Sequence, residues 1–382
     1  MISARRTKAC EVINNARLDG VLFATGPVFQ YLSECTQYFW QRACMDNIEG
    51  LHQSKINPET LLFLSRDGDC TIITIPQYKD QFPNQKVIPS YMDQFEDTLA
   101  RVITGTVIGI GNDCEQFLKD TLHEVNPNIQ TVPAERLFDE MRSIKDQNEI
   151  AQMRRMAQFT DDAVMHCVKH LHEGMTQWDA ENLLMQYGFD HGIQDFSFPP
   201  TAGFKTRGTF GPDEMFDFSR DSVLVPGTAI AFDVGYIDHG YCSDWGRTVY
   251  YGKAPELVKH GYDVLNHACV HLVEQIVPYK TNVKDCFDMI RDDVEKDGYL
   301  DYLRYKDERM LGHQIGTECH EHPMVNAQTD AILKPGMIFC SEPKMAFPGE
   351  CYMRVEDMVL VTDTGAEFLT HFPRDLFEFS ND

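Results

Sequence analysis

The strongest constraint on this chain is a pattern that it carries twice. Ile150, Met153, Ala157, Thr160, Val164 and Leu171 recur at three-, four- and seven-residue steps, which predicts a helix with one apolar stripe. Glu173-Gly-Met-Thr176 breaks it, and Thr176 is placed to N-cap a second helix. Further on, Val258, Tyr262, Leu265, Cys269, Leu272 and Ile276 form another stripe, interrupted by Val277-Pro-Tyr-Lys-Thr281. Val283, Phe287, Ile290 and Val294 then form one more helix, which Gly298 ends. Each helix pair leads to a Pro-Gly and an apolar strand, Pro226 to Asp233 and Pro335 to Glu342, with a carboxylate seven residues after the proline. The order of these parts reads as an internal duplication in which Asp233 answers Glu342.

Each acid has a second acid beyond a turn. Asp238-His-Gly240 is a turn signal between two strand-like runs. With the turn centred on Asp238 and His239, Asp233 and Asp244 are expected directly opposite, their Cβ atoms ~5 Å apart. Pro348-Gly349 marks the second turn, and centring it on Gly349 puts Glu342 opposite Glu356. Ala229, Ala231 and Cys340 are small neighbours on the acid-bearing faces. Carboxylates so placed repel unless a cation or a proton intervenes, and four of them point to more than one divalent metal. Leu311-Gly-His313-Gln-Ile-Gly316, followed by Cys319-His320-Glu-His-Pro323, supplies imidazoles for metal ligation and for acid–base work. There is no HExxH helix, no GxSxG elbow and no Walker loop.

The first 140 residues have a different texture. Gly20 to Gly26, Leu61 to Ser65 and Val107 to Gly111 read as buried strands between helical stretches, an α/β unit. Lys plus Arg total 34 against 59 Asp plus Glu, a net charge of −25. That balance excludes a nucleic-acid backbone binder and disfavours anionic membranes. The twelve cysteines form no CxxC pair, and no signal-like apolar segment follows Met1, so a cytoplasmic protein with reduced thiols is expected.

These residues resemble the pita-bread metallohydrolases: prolidase, Xaa-Pro aminopeptidase, methionine aminopeptidase and the related creatinase. The motifs are Asp233-x-Gly235, Asp244-x-x-Arg247-Thr248, Gly312-His313-x-Ile315-Gly316, His320-Glu321-x-Pro323, Glu342-Pro343 and Arg354-x-Glu356-Asp357. The resemblance implies an α+β fold: a creatinase-like α/β domain over 1–140, then a pseudo-twofold pita-bread catalytic domain over 141–382. It implies Asp233, Asp244, His313, Glu342 and Glu356 as ligands of two divalent ions, manganese first, with cobalt, zinc or iron as alternatives. Glu342 would also be the general base, His320 would meet the oxyanion, and Arg354 would anchor substrate or orient Glu356. A homodimer is implied in the same way.

One position departs from the family. Its peptidases usually carry a histidine seventeen residues before the first metal aspartate, where this chain has Phe216. The surrounding loop is aromatic, with Phe196, Phe198, Phe204, Phe210, Phe216 and Phe218, and with Lys205 and Arg207. The leading expectation is a dinuclear-metal hydrolase that cleaves Xaa-Pro dipeptides or peptides, or a related C–N bond, by a metal-activated hydroxide. Phe216, as a contact for the substrate, supports an alternative: a small-molecule hydrolase or lyase of the same fold, like those of ectoine or dimethylsulfoniopropionate. A catalytically silent binding protein is the third.

Overall fold

The computed structural model of this chain describes residues 3–37, 60–112, 114 and 116–380. It divides into two compact units, Met1–Arg142 and Ser143–Asp382.

In the first unit the order is α1 (Ala4–Asn15), β1 (Gly20–Ala24), α2 (Pro27–Ser33), β2 (Thr60–Ser65), β3 (Cys70–Thr74) and β4 (Lys86–Pro89). Then come α3 (Phe95–Val102), β5 (Val107–Ile110), α4 (Gln116–Val125), β6 (Gln130–Pro133) and α5 (Asp139–Ser143). The strands make one mixed sheet in the order β4-β3-β2-β1-β5-β6. Val21, Phe23, Leu62 and Leu64 pack on one face with residues of α1 and α2. Leu22, Leu61 and Phe63 pack on the other with residues of α3 and α4. A sheet covered on both faces explains why these strands read as unbroken apolar runs.

The second unit opens with α6 (Gln147–His170) and α7 (Gln177–Asp190). The side chains of Asp146 and Thr176 cap them, and the amide of each cap donates in return to the acid three residues on, Glu149 and Asp179. There follow β7 (Asp195–Phe196), β8 (Thr201–Thr206), β9 (Thr228–Val234), β10 (Tyr236–Asp238), β11 (Tyr241–Cys242) and β12 (Trp245–Tyr251). The second helix pair is α8 (Glu256–Gln275) and α9 (Cys286–Lys296). The chain closes with β13 (Met310–Gln314), β14 (Glu321–Asn326), β15 (Ile338–Ser341), β16 (Lys344–Phe347), β17 (Cys351–Val361), β18 (Ala366–Phe368) and β19 (Phe377–Phe379). The large sheet runs β14-β13-β15-β17-β12-β9-β8, so the two halves of the repeat join where β12 pairs β17.

Every residue of the two long stripes is buried, and each stripe serves one half of the sheet. Val164, Leu171, Ala180 and Leu184 pack with Ile230, Phe232, Trp245 and Val249. Val258, Leu265, Phe287 and Ile290 pack with Phe339, Met353, Val355 and Val359. With pleat period two, these contacts fix the even residues of β9 and the odd residues of β17 on the helix side. Asp233 and Glu356, of opposite parity, face away from it.

The first hairpin departs from the expected register. His239 and Gly240, not Asp238 and His239, take positive φ, at 51° and 76°. A two-residue turn with both centres left-handed matches the twist of the strands, and glycine favours the second place. Asp233 therefore pairs with Gly246, and Asp244 is its diagonal neighbour rather than its direct partner. The slip is two residues, so both acids keep the same face. In the second hairpin, Ser341 pairs with Asp357 and Lys344 with Arg354, the register that sets Glu342 across from Glu356.

Among the described residues there is no disulfide, and no helix is long and apolar enough to cross a membrane.

Candidate active site

The acids meet where β9, β12 and β17 lie side by side. Gly246 pairs with Asp233 on one side and Glu356 on the other, so the centre of this row has no side chain. A Cβ at Gly246 would stand 2.2 Å from Cδ of Arg354 and 2.9 Å from Oε2 of Glu356. That empty place admits the Arg354 guanidinium. Arg354 pairs with Asp233 and lies 3.2 Å from Oε2 of Glu356, and its side chain is 11% exposed. It is thus paired with two acids of the cluster.

Asp244 and His313 approach from either side. Oδ2 of Asp244 lies 3.4 Å from Nε2 of His313 and accepts a hydrogen bond from the Cys319 thiol at 3.2 Å. His313 donates from Nδ1 to the carbonyl of Gln314 at 3.0 Å, which turns Nε2 toward the acids. Glu342 lies in the break between β15 and β16, with Oε1 4.0 Å from Nε2 of His313 and Oε2 bonded to Lys344. Ligand atoms of Asp244, His313, Cys340 and Glu356 all fall within 4.8 Å of one another, and all four residues are buried.

The protonation pattern follows from this crowding. Burial holds the Glu356 carboxyl well above the usual carboxylate range, and Asp244 and Glu342 push it further. Burial raises Asp233 as well, with Arg354 opposing. Asp244 is held low: burial acts against this, but the bonds from His313 and Cys319 outweigh it. Burial opposes a raised His313 too, and Asp244 overcomes it. Oδ1 of Asp244 and Oε1 of Glu356 are buried with no hydrogen-bond partner. Orphaned buried oxygens beside a turned imidazole fit a divalent cation, which would relieve both the repulsion and the unmet bonds.

His320 stands at the exposed rim, its ring 4.0 Å from that of His313. Burial and His313 both lower its pKa, so it is a neutral imidazole near neutrality. Its loop is anchored by Glu321, which pairs with Lys145 at 2.8 Å and accepts from the Thr317 amide at 2.9 Å. Beneath the site, Arg247 is fully buried against Asp357, which also pairs with Arg374 at 2.8 Å. Arg247 also donates to the carbonyls of Gly246 and Glu356, tying β12 to β17 behind the acids.

The aromatic loop divides. Phe204 is core, and Phe196 packs on Tyr236. Phe198 lies against Gly235. Phe216 is 45% exposed and meets Tyr352 edge-on at 5.5 Å, and Phe218 meets the same ring at 5.9 Å. Tyr352 is two residues from Arg354, on the acid-bearing face. The Arg304 guanidinium lies 3.6 Å over the Phe216 ring, and Lys205 lies 5.0 and 5.1 Å over Phe210 and Phe218. Lys205 also donates to the carbonyls of Glu214 and Asp217, holding this loop to β8.

Lys344, Cys319, Lys145 and Arg304 were not singled out by sequence, and Cys340 was read only as a small neighbour. Lys344 carried a usable signal, since it follows Glu342 by one pleat repeat on the same face.

The duplicated α+β fold brings together a buried group of carboxylates and an imidazole that could hold a divalent cation. Comparison with known proteins gives the family. A model of metallopeptidase family M24 matches residues 151–363, and the chain belongs to that family. It is 30% identical over 249 residues to the uncharacterized peptidase YqhT of Bacillus subtilis, covering 65% of this chain and 68% of that protein. An uncharacterized peptidase of Staphylococcus aureus is 29% identical over 240 residues, 62% of this chain and 64% of its own length. Among solved structures, a dipeptidase from Pyrococcus horikoshii superposes with a TM-score of 0.82 at 21% identity, over 98% of this chain and 100% of that one. An X-Pro aminopeptidase from Thermotoga maritima gives 0.79 at 20%, over 98% and 99%. The fold is thus the creatinase-like and pita-bread architecture over nearly the whole chain.

Proposed function

We propose that this protein is a metal-dependent hydrolase of the prolidase type that cleaves the C–N bond of small Xaa-Pro peptides. The observation that carries the reading is the pair of orphaned oxygens on Asp244 and Glu356 beside Nε2 of His313. Two divalent ions would be held by Asp233, Asp244, His313, Glu342 and Glu356. When bound, they supply a Lewis acid and a water of lowered pKa. Asp244 and Glu356 already offer open oxygens and Nε2 of His313 faces Asp244, whereas Asp233 and Glu342 hold Arg354 and Lys344 and must reorient to join.

The side chains do the rest. Glu342 takes the proton of the attacking water and passes it to the leaving nitrogen. His320, neutral at the rim, donates a hydrogen bond to the carbonyl oxygen as its charge develops. Arg354 orients Glu356. Phe216 and Tyr352 wall the approach. The relatives' designation as peptidases, and the neighbours' as X-Pro aminopeptidase and dipeptidase, support a peptide substrate.

The exposed aromatic wall motivates the second reading, a non-peptide small molecule. Arg304 already stacks over the Phe216 ring and would compete there with a cationic guest, which weighs toward the peptide reading. The test is hydrolysis of Xaa-Pro against matched Xaa-Ala dipeptides and cyclic solutes, with manganese, cobalt, zinc and iron supplied singly and metal content measured. Xaa-Pro cleavage with two ions per chain is expected. Turnover of a solute with no peptide cleavage overturns the peptide assignment.

A further inference from the structure

One side chain in the buried cluster has no role in the scheme above. Cys340 lies in β15, paired with His313 and Met358 and one pleat repeat before Glu342. The pleat turns it to the same face as Glu342. Its sulfur is within 4.8 Å of ligand atoms on Asp244, His313 and Glu356. Asp244 and Glu356 are the residues that carry the two orphaned oxygens, and their side chains are only 5% and 1% exposed. Cys319 is placed differently. Its thiol donates to Asp244, and the group it forms with Asp244 and His320 opens to the surface at His320.

We infer that Cys340 is a sulfur ligand of the ion held by Asp244, His313 and Glu356, which makes that ion zinc or cobalt(II) in preference to manganese. The inference rests on the metal-dependent reading and deepens it. An all-oxygen site with one imidazole leaves the metal open, whereas a thiolate selects softer ions. On binding, a sulfur–metal bond forms, the S–H bond breaks and the proton passes to water; nothing is oxidised or reduced.

The test uses the full chain, stripped of metal and reconstituted with cobalt(II), with bound cobalt measured by elemental analysis. A sulfur-to-cobalt charge-transfer band in the near ultraviolet is expected in the wild type. It is expected to vanish in Cys340→Ser and to persist in Cys319→Ser. Zinc affinity of Cys340→Ser should fall by at least the ~10-fold typical of outer-shell partners, while manganese affinity holds. Stoichiometric cobalt without the band overturns the sulfur ligand and leaves the metal reading standing; so does a band lost only in Cys319→Ser. No cobalt uptake at all removes the metal reading and this inference with it. Should Cys340→Ser fail to fold by circular dichroism, the wild-type and Cys319→Ser spectra decide.

Discussion

The two hairpins of the repeat carry the same device in different backbones. In the second, β17 runs unbroken from Cys351 to Val361, and only its partner is interrupted, at Glu342 and Pro343. In the first, both arms are interrupted, at Gly235 and at Ser243 and Asp244. The continuous strand holds Glu356 in a fixed register at the centre of the sheet. The doubly broken hairpin leaves Asp244 outside any ladder, free to meet His313 and Cys319. One half therefore supplies rigidity and the other supplies reach, and a cation site needs both.

The comparison can be broken most severely at Glu342. Glu342→Gln keeps the shape of the side chain but removes the base, and kcat is expected to fall by roughly 10²–10⁴-fold with the fold intact. Asp233→Asn, its counterpart in the repeat, should instead lower metal occupancy. Equal rates in Glu342→Gln and wild type, with metal retained, would remove the difference in role. A smaller effect is expected at the seam. Gly246→Ala drives a methyl into Arg354 and Glu356, and a loss of about 1–3 kcal/mol in denaturant unfolding is expected. An unchanged midpoint would show that Arg354 can withdraw, and that the rigid half is less rigid than drawn. The smallest effect lies at the helix entries. Thr176→Ala breaks a capping box, at a cost of about 1 kcal/mol. Asn282, which bonds the Lys284 amide at the matching break, sits before a short 3-10 turn, so Asn282→Ala should cost less. Thermal unfolding of both variants reads the contrast.

The sequence exposed what repeats and what alternates. Both helix stripes, the Thr176 cap and the second hairpin's register follow from local spacing and a single turn, and the structure carries them. The first hairpin slipped because its turn was placed by Asp238, whereas positive φ at two successive residues favours His239-Gly240. Arg247 with Asp357, and Lys145 with Glu321, join residues more than a hundred positions apart, and no local pattern marks such pairs. The division of the phenylalanines was equally hidden. Phe204 and Phe216 belong to the same aromatic stretch, and only the sheet decides which is core.

The buried pair of Lys145 and Glu321 has a consequence for where this unit can be cut. Lys145 precedes the first helix of the repeat, and its amide donates to the carbonyl of Gly336 in the second half. Trimming the chain to begin at α6 would look harmless by helix boundaries alone. It would strand the Glu321 carboxylate in the interior, a loss of the kind that costs 3–5 kcal/mol when one partner of a buried pair is removed. The loop that presents His320 would loosen with it. The short lead before the helix is a latch, and any fragment meant to keep the Ser143–Asp382 unit intact has to include it.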